Sequence, residues 1–359
     1  MKTMYKIMFL LFFIPLTIFA TEKKGKYTKS KILKKEYSVN KNATLNITNK
    51  YGNISIATWN ENRIAIKVTI TTNGYDEEKV EEKLEQIDVD FKGNSNNVSA
   101  ETIIEKTSRS WNLLRWGKSN NINIEINYLI QMPLTNNVNL TNDYGAITLD
   151  RLEGISKINC NYGKITIGEL KNTNNSINID YTNNSTIYFM EDGIINADYS
   201  TLHIDRSKRV KLNADYSHLS FEMIAVLDYN CDYGSLKIGD SGNITGNSDY
   251  MHTIVEKLRG RGNFDMDYGS LKIEELGNEF KDITVKSSYA HTKIGVKPTN
   301  SFLLNATLSY GNLNYKNGFT FNKELIKTTT KYYEGFYNSS DSKSNITINS
   351  SYGSVTFTE

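Results

Sequence analysis

The chain has 359 residues, with 42 lysines and arginines against 40 aspartates and glutamates, 38% hydrophobic residues, 23 glycines and only 3 prolines. That length carries a large core, and a charge balance this close to zero gives no electrostatic case for a nucleic-acid or anionic-membrane partner. Turns must rely on Asn, Asp and Ser.

Lys2 and Lys6 precede an apolar run from Ile7 to Phe19, followed by Ala20 and the charged Thr21-Glu22-Lys23-Lys24. This predicts a secretory signal peptide over 1–20 and export to the periplasm, outer-membrane surface or exterior. The run is short for a membrane helix, and the mature chain is expected to have no integral membrane span. Without Lys2 and Lys6 the 42 basic residues become 40 against 40 acidic ones, a neutral chain.

Residues 21–359 read as one domain, with 21–135 elaborating a first repeat and 136–359 forming the main array. Leu45, Ile47, Tyr51, Ile54 and Ile56 state a phrase that returns later, and Ile64, Ile66, Val68 and Ile70 alternate as a strand does. Residues 76–86 predict the one helix, with Val80, Leu84 and Ile87 on one face and acidic residues in the first turn, covering an open end or side of the fold. Strands follow near 87–91 and 98–104. Trp111, Arg115 and Trp116 then fall in a loop, as a candidate ligand contact or an aromatic plug. Ile122, Ile124, Ile126, Tyr128 and Ile130 alternate up to Met132-Pro133.

The main array repeats one phrase around a marker tyrosine: Tyr144, Tyr162, Tyr181, Tyr199, Tyr216, Tyr233, Tyr250, Tyr268 and Tyr289, spaced 18, 19, 18, 17, 17, 17, 18 and 21 residues apart. Apolar residues alternate on both sides of each marker, as in Leu212, Ala214, Tyr216, then Leu219 and Phe221, with the phase broken just after the tyrosine. Leu152, Leu170, Leu258 and Leu276 each fall eight residues after their tyrosine and supply a third apolar point. The expected fold is all-β: a parallel, right-handed β-helix with repeats of about 18 residues stacked at about 4.8 Å. The tyrosines, being in phase with the apolar positions, should form a ladder at a core edge, as structural glue or as an aromatic platform. Asp180, Asp198, Asp215, Asp232, Asp249 and Asp267 form a second column one residue earlier, either capping corner amides or bridged by a cation.

Tyr310 and Tyr352 carry the last two phrases, separated by 42 residues, about two repeats. Between them Tyr332, Tyr333, Phe336 and Tyr337 form a second aromatic candidate for ligand binding or end-capping. Cys160 and Cys231 both stand two before a marker, so they face inward four repeats and about 19 Å apart, beyond disulfide reach. His203, His218, His252 and His291 follow corners with no partner at metal-ligand spacing and read as surface groups. No phosphate-binding loop, nucleophile elbow or zinc-protease motif is present, and no metal, cofactor or catalytic group is implied.

The first Tyr-Gly repeat with Ile-Ser-Ile-Ala-Thr-Trp at 54–59, the Ile/Val strand, the acidic helix, the strand ending at Met132-Pro133 and then Asn-Asp-Tyr-Gly-Ala-Ile-Thr-Leu at 142–149 together resemble the bacterial putative-adhesin domain family, which is related to head-GIN domains. The resemblance covers most of the mature chain and implies a secreted or periplasmic β-helix. Many corners carry Ser, Thr, Met or Ala where that family prefers Gly. The function expected is non-enzymatic, adhesin-like presentation of a repetitive surface to an envelope protein or glycan. The alternatives are a scaffold or sensor component of the envelope and a polysaccharide-active enzyme, for which aligned carboxylates are the usual tools.

Overall fold

The computed structural model describes residues 25–105 and 122–359. The leader and the segment with Trp111, Arg115 and Trp116 lie outside the described residues. The fold is all-β with a single helix among the described residues, and its 25 strands join in one large mixed sheet that is not closed.

The N-terminal part runs β1 (Tyr27–Ser38), β2 (Thr44–Lys50), β3 (Ile54–Trp59), β4 (Arg63–Gly74), α1 (Glu77–Glu85), β5 (Ile87–Gly93), β6 (Asn97–Ile104) and β7 (Asn123–Pro133). β6 pairs parallel with β2 and β7 parallel with β3, so the repeat that comes first in sequence is not outermost in space. Antiparallel strands then end the parallel stacking: β5 lies on β6, β4 on β7 and β1 on β4. β1 carries the exposed Lys34 and Lys35, and such charges discourage another chain from adding to the edge. Asp76 caps α1 by accepting from the Lys79 amide, and Glu77 and Glu78 sit at the positive end of the helix dipole. Val80 is buried, and its carbonyl accepts a 2.8 Å hydrogen bond from Thr72 Oγ1, which fixes α1 against β4.

Between β8 (Asn137–Asp143) and β19 (His291–Gly295) the strands of successive repeats pair parallel with one another. Register holds residue for residue: Ile158 faces Ile177, which faces Ile195, then Leu212, then Tyr229. Unequal spacing is absorbed outside these ladders, as at Asn184, which has a φ of 56° in the corner after Tyr181. Inward residues are buried almost without exception, including Leu152, Leu170, Leu258 and Leu276. Cys160 and Cys231 are buried and free, and the register Cys160–Ile179–Ala197–Ala214–Cys231 places four steps between them.

The last repeats depart from the order of the sequence. They comprise β18 (Asp282–Ser288), β19, β20 (Phe302–Ser309), β21 (Asn312–Asn314), β22 (Phe319–Ile326), β23 (Thr330–Tyr337), β24 (Asn345–Ser351) and β25 (Ser354–Thr358). β24 pairs parallel with both β18 and β20, and β25 with both β19 and β21. The final phrase is therefore inserted between its two predecessors instead of following them. Residues 311–344 are also not two further repeats: β22 and β23 form an antiparallel hairpin laid on β20. The reason lies in their alternation, since Tyr333 and Tyr337 turn inward onto Phe321 and Phe302 and close the end of the core.

Candidate functional site: a tyrosine ladder

Twelve tyrosines occupy the left-handed backbone region at the corners, from Tyr51 through Tyr352, with φ between 49° and 61°. A positive φ is strained for a residue with a Cβ, and here it decides where the side chain goes. Strict alternation would turn Tyr181 inward after Ile177 and Ile179, but the left-handed turn sends it out and brings Thr182 in. The tyrosines are thus 40–61% exposed, which corrects the expected position at a core edge. Their rings stack along the outside of the corner with centroids 4.7–5.4 Å apart and planes within 12° of parallel. The order of rungs is Tyr51, Tyr144, Tyr162, then sequentially to Tyr289, then Tyr352 and last Tyr310, following the inserted repeat.

Stacking consumes ring faces. Along the flank only ring edges and phenol hydroxyls are presented; a free face is left to the two terminal rings, Tyr51 and Tyr310, each stacked on a single ring among the described residues.

The aspartate column runs beside this ladder, with Asp180, Asp198, Asp215 and Asp232 in direct register, and Asp249 opposite Asp267. Asp198 Oδ1 accepts from the Asp215 amide at 3.2 Å, and Asp232 Oδ1 from the Asp249 amide at 3.1 Å. The Asp180, Asp215 and Asp249 carboxyls are held above the ordinary carboxylate range, first by burial and then by neighbouring aspartates. Tyr181 and Tyr233 are likewise held above the ordinary phenol value by burial and then by the neighbouring rings. Among the described residues no group of three or more His, Cys, Asp or Glu is arranged to hold a metal ion.

Sequence reasoning missed a third column. Asn159, Asn178, Asn196, Asn213, Asn230 and Asn247 each stand three before a marker tyrosine, on the same outward face as the aspartates. Their amides link successive repeats: Asn178 donates to Asn159 at 2.6 Å, Asn196 to Asn178 at 2.6 Å, Asn213 to Asn196 at 2.8 Å and Asn247 to Asn230 at 2.8 Å. The signal was there, in the same offset held through six successive repeats, but it lay outside the apolar pattern.

The histidines behave as inter-repeat links too. His203, His218, His252 and His291 share hydrogen bonds of 2.8–3.0 Å through Nδ1 with Ser220, Ser235, Ser270 and Ser354. His203 also places Nε2 2.9 Å from Asp205, giving a Ser–His–Asp chain that looks like a hydrolase relay. The chain lies flat on a sheet, with Ser220 in register opposite His203 in the parallel ladder, so its main-chain amide serves the sheet and not an oxyanion.

Of the second aromatic candidate, Tyr333 and Tyr337 are buried in the end-capping hairpin and cannot meet a ligand directly. Tyr332 and Phe336 point the other way and are half-buried, with the Tyr332 hydroxyl donating to Glu334 at 2.7 Å.

No protein-family model matches the chain, and none of the curated proteins does. Among solved structures the chain is similar to an adhesin candidate from Parabacteroides merdae, at 8% identity over 94% of this chain and 98% of that one, with a TM-score of 0.33. It is also similar to a candidate cell adhesion protein from Clostridium sporogenes, at 11% identity over 92% and 99%, TM-score 0.19. A third is a candidate lipid-binding protein from Parabacteroides distasonis, at 9% identity over 91% and 97%, TM-score 0.25. Superposition at that level decides neither the fold nor the function of this chain. No helix among the described residues is long and apolar enough to cross a membrane.

Proposed function

We propose that the chain is an exported, non-enzymatic protein of the cell envelope: a single right-handed parallel β-helix that presents the tyrosine, aspartate and asparagine columns as one repetitive, adhesin-like binding face. The observation that carries the reading is the outward ladder itself. Twelve half-exposed rings lie in line, and along the middle of that line six aspartates and six asparagines recur at fixed offsets from the rings, which is far more regular than a surface needs for solubility alone. A flank of hydroxyl, carboxylate and amide groups suits a long partner with repeated hydroxyls or cations, such as an envelope glycan, better than a compact ligand. Right-handedness follows from the strong bias of crossovers between parallel strands.

The test is capture of envelope polysaccharides by the immobilised mature protein, compared with an Asp198→Asn/Asp215→Asn/Asp232→Asn variant and a Trp111→Ala/Trp116→Ala variant, both of verified fold. Binding lost in the aspartate variant supports the ladder face. Binding lost only in the tryptophan variant moves the site to that segment, and no capture by the unaltered protein ends the proposal.

One observation favours the second reading, a scaffold that binds protein. The outer side of β22 pairs with no strand among the described residues, and Leu325 and Ile326 there are exposed, which suits strand addition by a partner.

A further inference from the structure

Where the corner turns in other repeats, β7 runs straight on, and with β4 and β1 it forms a three-stranded flap beyond the ladder's first ring. The Ile126 amide still donates to the Tyr51 carbonyl at 2.9 Å, so the flap is anchored at that corner. Beyond it Thr28, Asn73 and Asn123 lie side by side in register, and Thr71 lies opposite Glu125 one step along the same face. These groups and the Tyr51 ring line a cavity of about 450 Å³. That volume falls within the ~300–1,000 Å³ common to small-molecule sites.

Exposure reports the same arrangement. Tyr310, the other terminal ring, is 61% exposed, whereas Tyr51, which also stacks on a single ring among the described residues, is 40% exposed. The flap therefore covers part of the Tyr51 ring, and the cavity opens beside that ring with Gly52, Asn53 and Tyr144 also on its wall.

We propose that this cavity is a binding site for a single pyranose ring of a carbohydrate. A pyranose has a face of C–H groups that packs on an aromatic ring and a rim of hydroxyls that needs hydrogen-bonding partners. The Tyr51 ring supplies the first and the flap supplies the second. Asn73 is occupied in holding the flap, donating to Gly25 O, Tyr27 O and Thr28 Oγ1 at 2.8–3.1 Å. Glu125 is aimed by a relay: the Asn53 amide group donates to Asn127 Oδ1 at 3.2 Å, and Asn127 donates to Glu125 Oε1 at 2.9 Å. Glu125 Oε2, the Asn123 amide and the Thr71 hydroxyl are then the groups that meet sugar hydroxyls. A flat aromatic ligand fits less well, because its second face would lie against amides and a carboxylate. The site is at the end of the ladder and does not rest on binding along its flank, so each can fail without the other.

The test uses the full mature chain and a panel of methyl pyranosides (glucose, galactose, mannose and N-acetylglucosamine), read by ligand-observed NMR and calorimetry. At least one is expected to bind with a millimolar dissociation constant, as a single small ring on an open site should. Tyr51→Asn, which removes the ring while tolerating a positive φ, and Glu125→Gln, which leaves the ladder intact, are each expected to weaken it about tenfold or more. Tyr310→Asn at the far end is expected to change nothing. Absence of binding by every sugar, binding unaltered in either Tyr51→Asn or Glu125→Gln, or equal loss in Tyr310→Asn would overturn the assignment.

Discussion

Each ladder tyrosine combines a strained backbone with stacked rings, and the two contributions can be separated because Tyr216 and Tyr310 have the same φ of 52°. Replacing either by Asn relieves the same left-handed strain, so that gain cancels in the comparison. Tyr216 loses two neighbours, Tyr199 at 4.9 Å and Tyr233 at 4.8 Å, whereas Tyr310 loses only Tyr352 at 4.9 Å. All three pairs are within 2° of parallel, so they are equivalent in geometry. One aromatic pair contributes about 0.5–1.5 kcal/mol beyond its buried area, and half-exposed rings belong at the lower end. Tyr216→Asn is therefore expected to be less stable than Tyr310→Asn by about 0.5–1 kcal/mol. Urea unfolding followed by circular dichroism measures this, with amide hydrogen exchange in the flanking repeats as the second readout because stacked repeats can open from one end. Equal stability of the two variants would refute the argument and leave the stacking incidental to the corner geometry.

The aspartate column yields a prediction with a definite sign. A carboxyl held above the usual 3.8 binds its proton more tightly folded than unfolded, so its contribution favours the fold below that value and is lost as pH rises through the raised one. At neutral pH the ionised column opposes folding, and Asp215→Asn is expected to raise stability by about 0.2–1 kcal/mol, a gain that shrinks toward acid pH. A lower urea midpoint for Asp215→Asn at neutral pH would show instead that the carboxylate is needed as an acceptor. The Cys160 and Cys231 thiols are pushed up to about 12 by burial. They should resist iodoacetamide in the folded protein at about pH 8 and react in urea, as mass spectrometry of the intact chain would show. Gly246 leaves room for the buried Tyr229 ring, whose nearest carbon would lie 2.0 Å from an added Cβ. Gly246→Ala should therefore cost about 1–3 kcal/mol, with much of the loss recovered on combining it with Tyr229→Leu. Additive losses in that pair would place the strain elsewhere.

Periodicity alone determined most of the wall-building residues. Ile158, Leu212 and Phe264 alternate with polar neighbours, and a sheet with one face buried allows no other register, because a slip of one residue would expose every apolar side chain. The helical spacing of Val80, Leu84 and Ile87 located α1, read over 76–86 and observed over 77–85, and the repeat count kept Cys160 and Cys231 apart. Alternation misplaced the tyrosines, because it assumes an extended backbone and a left-handed residue reverses the side chain's direction without altering the apolar count. It also passed over the asparagine column, since hydrogen bonds between repeats leave no trace in hydropathy. The order of the last repeats lay beyond the sequence altogether. Two phrases as alike as those at Tyr310 and Tyr352 can pair with the same neighbours, and the choice fell to the β22–β23 hairpin, whose inward Tyr333 and Tyr337 seal the face of β20 and leave β24 only the slot beside β18. The flap over Tyr51 has the same origin: β1, β4 and β7 are far apart along the chain, and only their antiparallel pairing sets Thr28, Asn73 and Asn123 in one row opposite an aromatic ring.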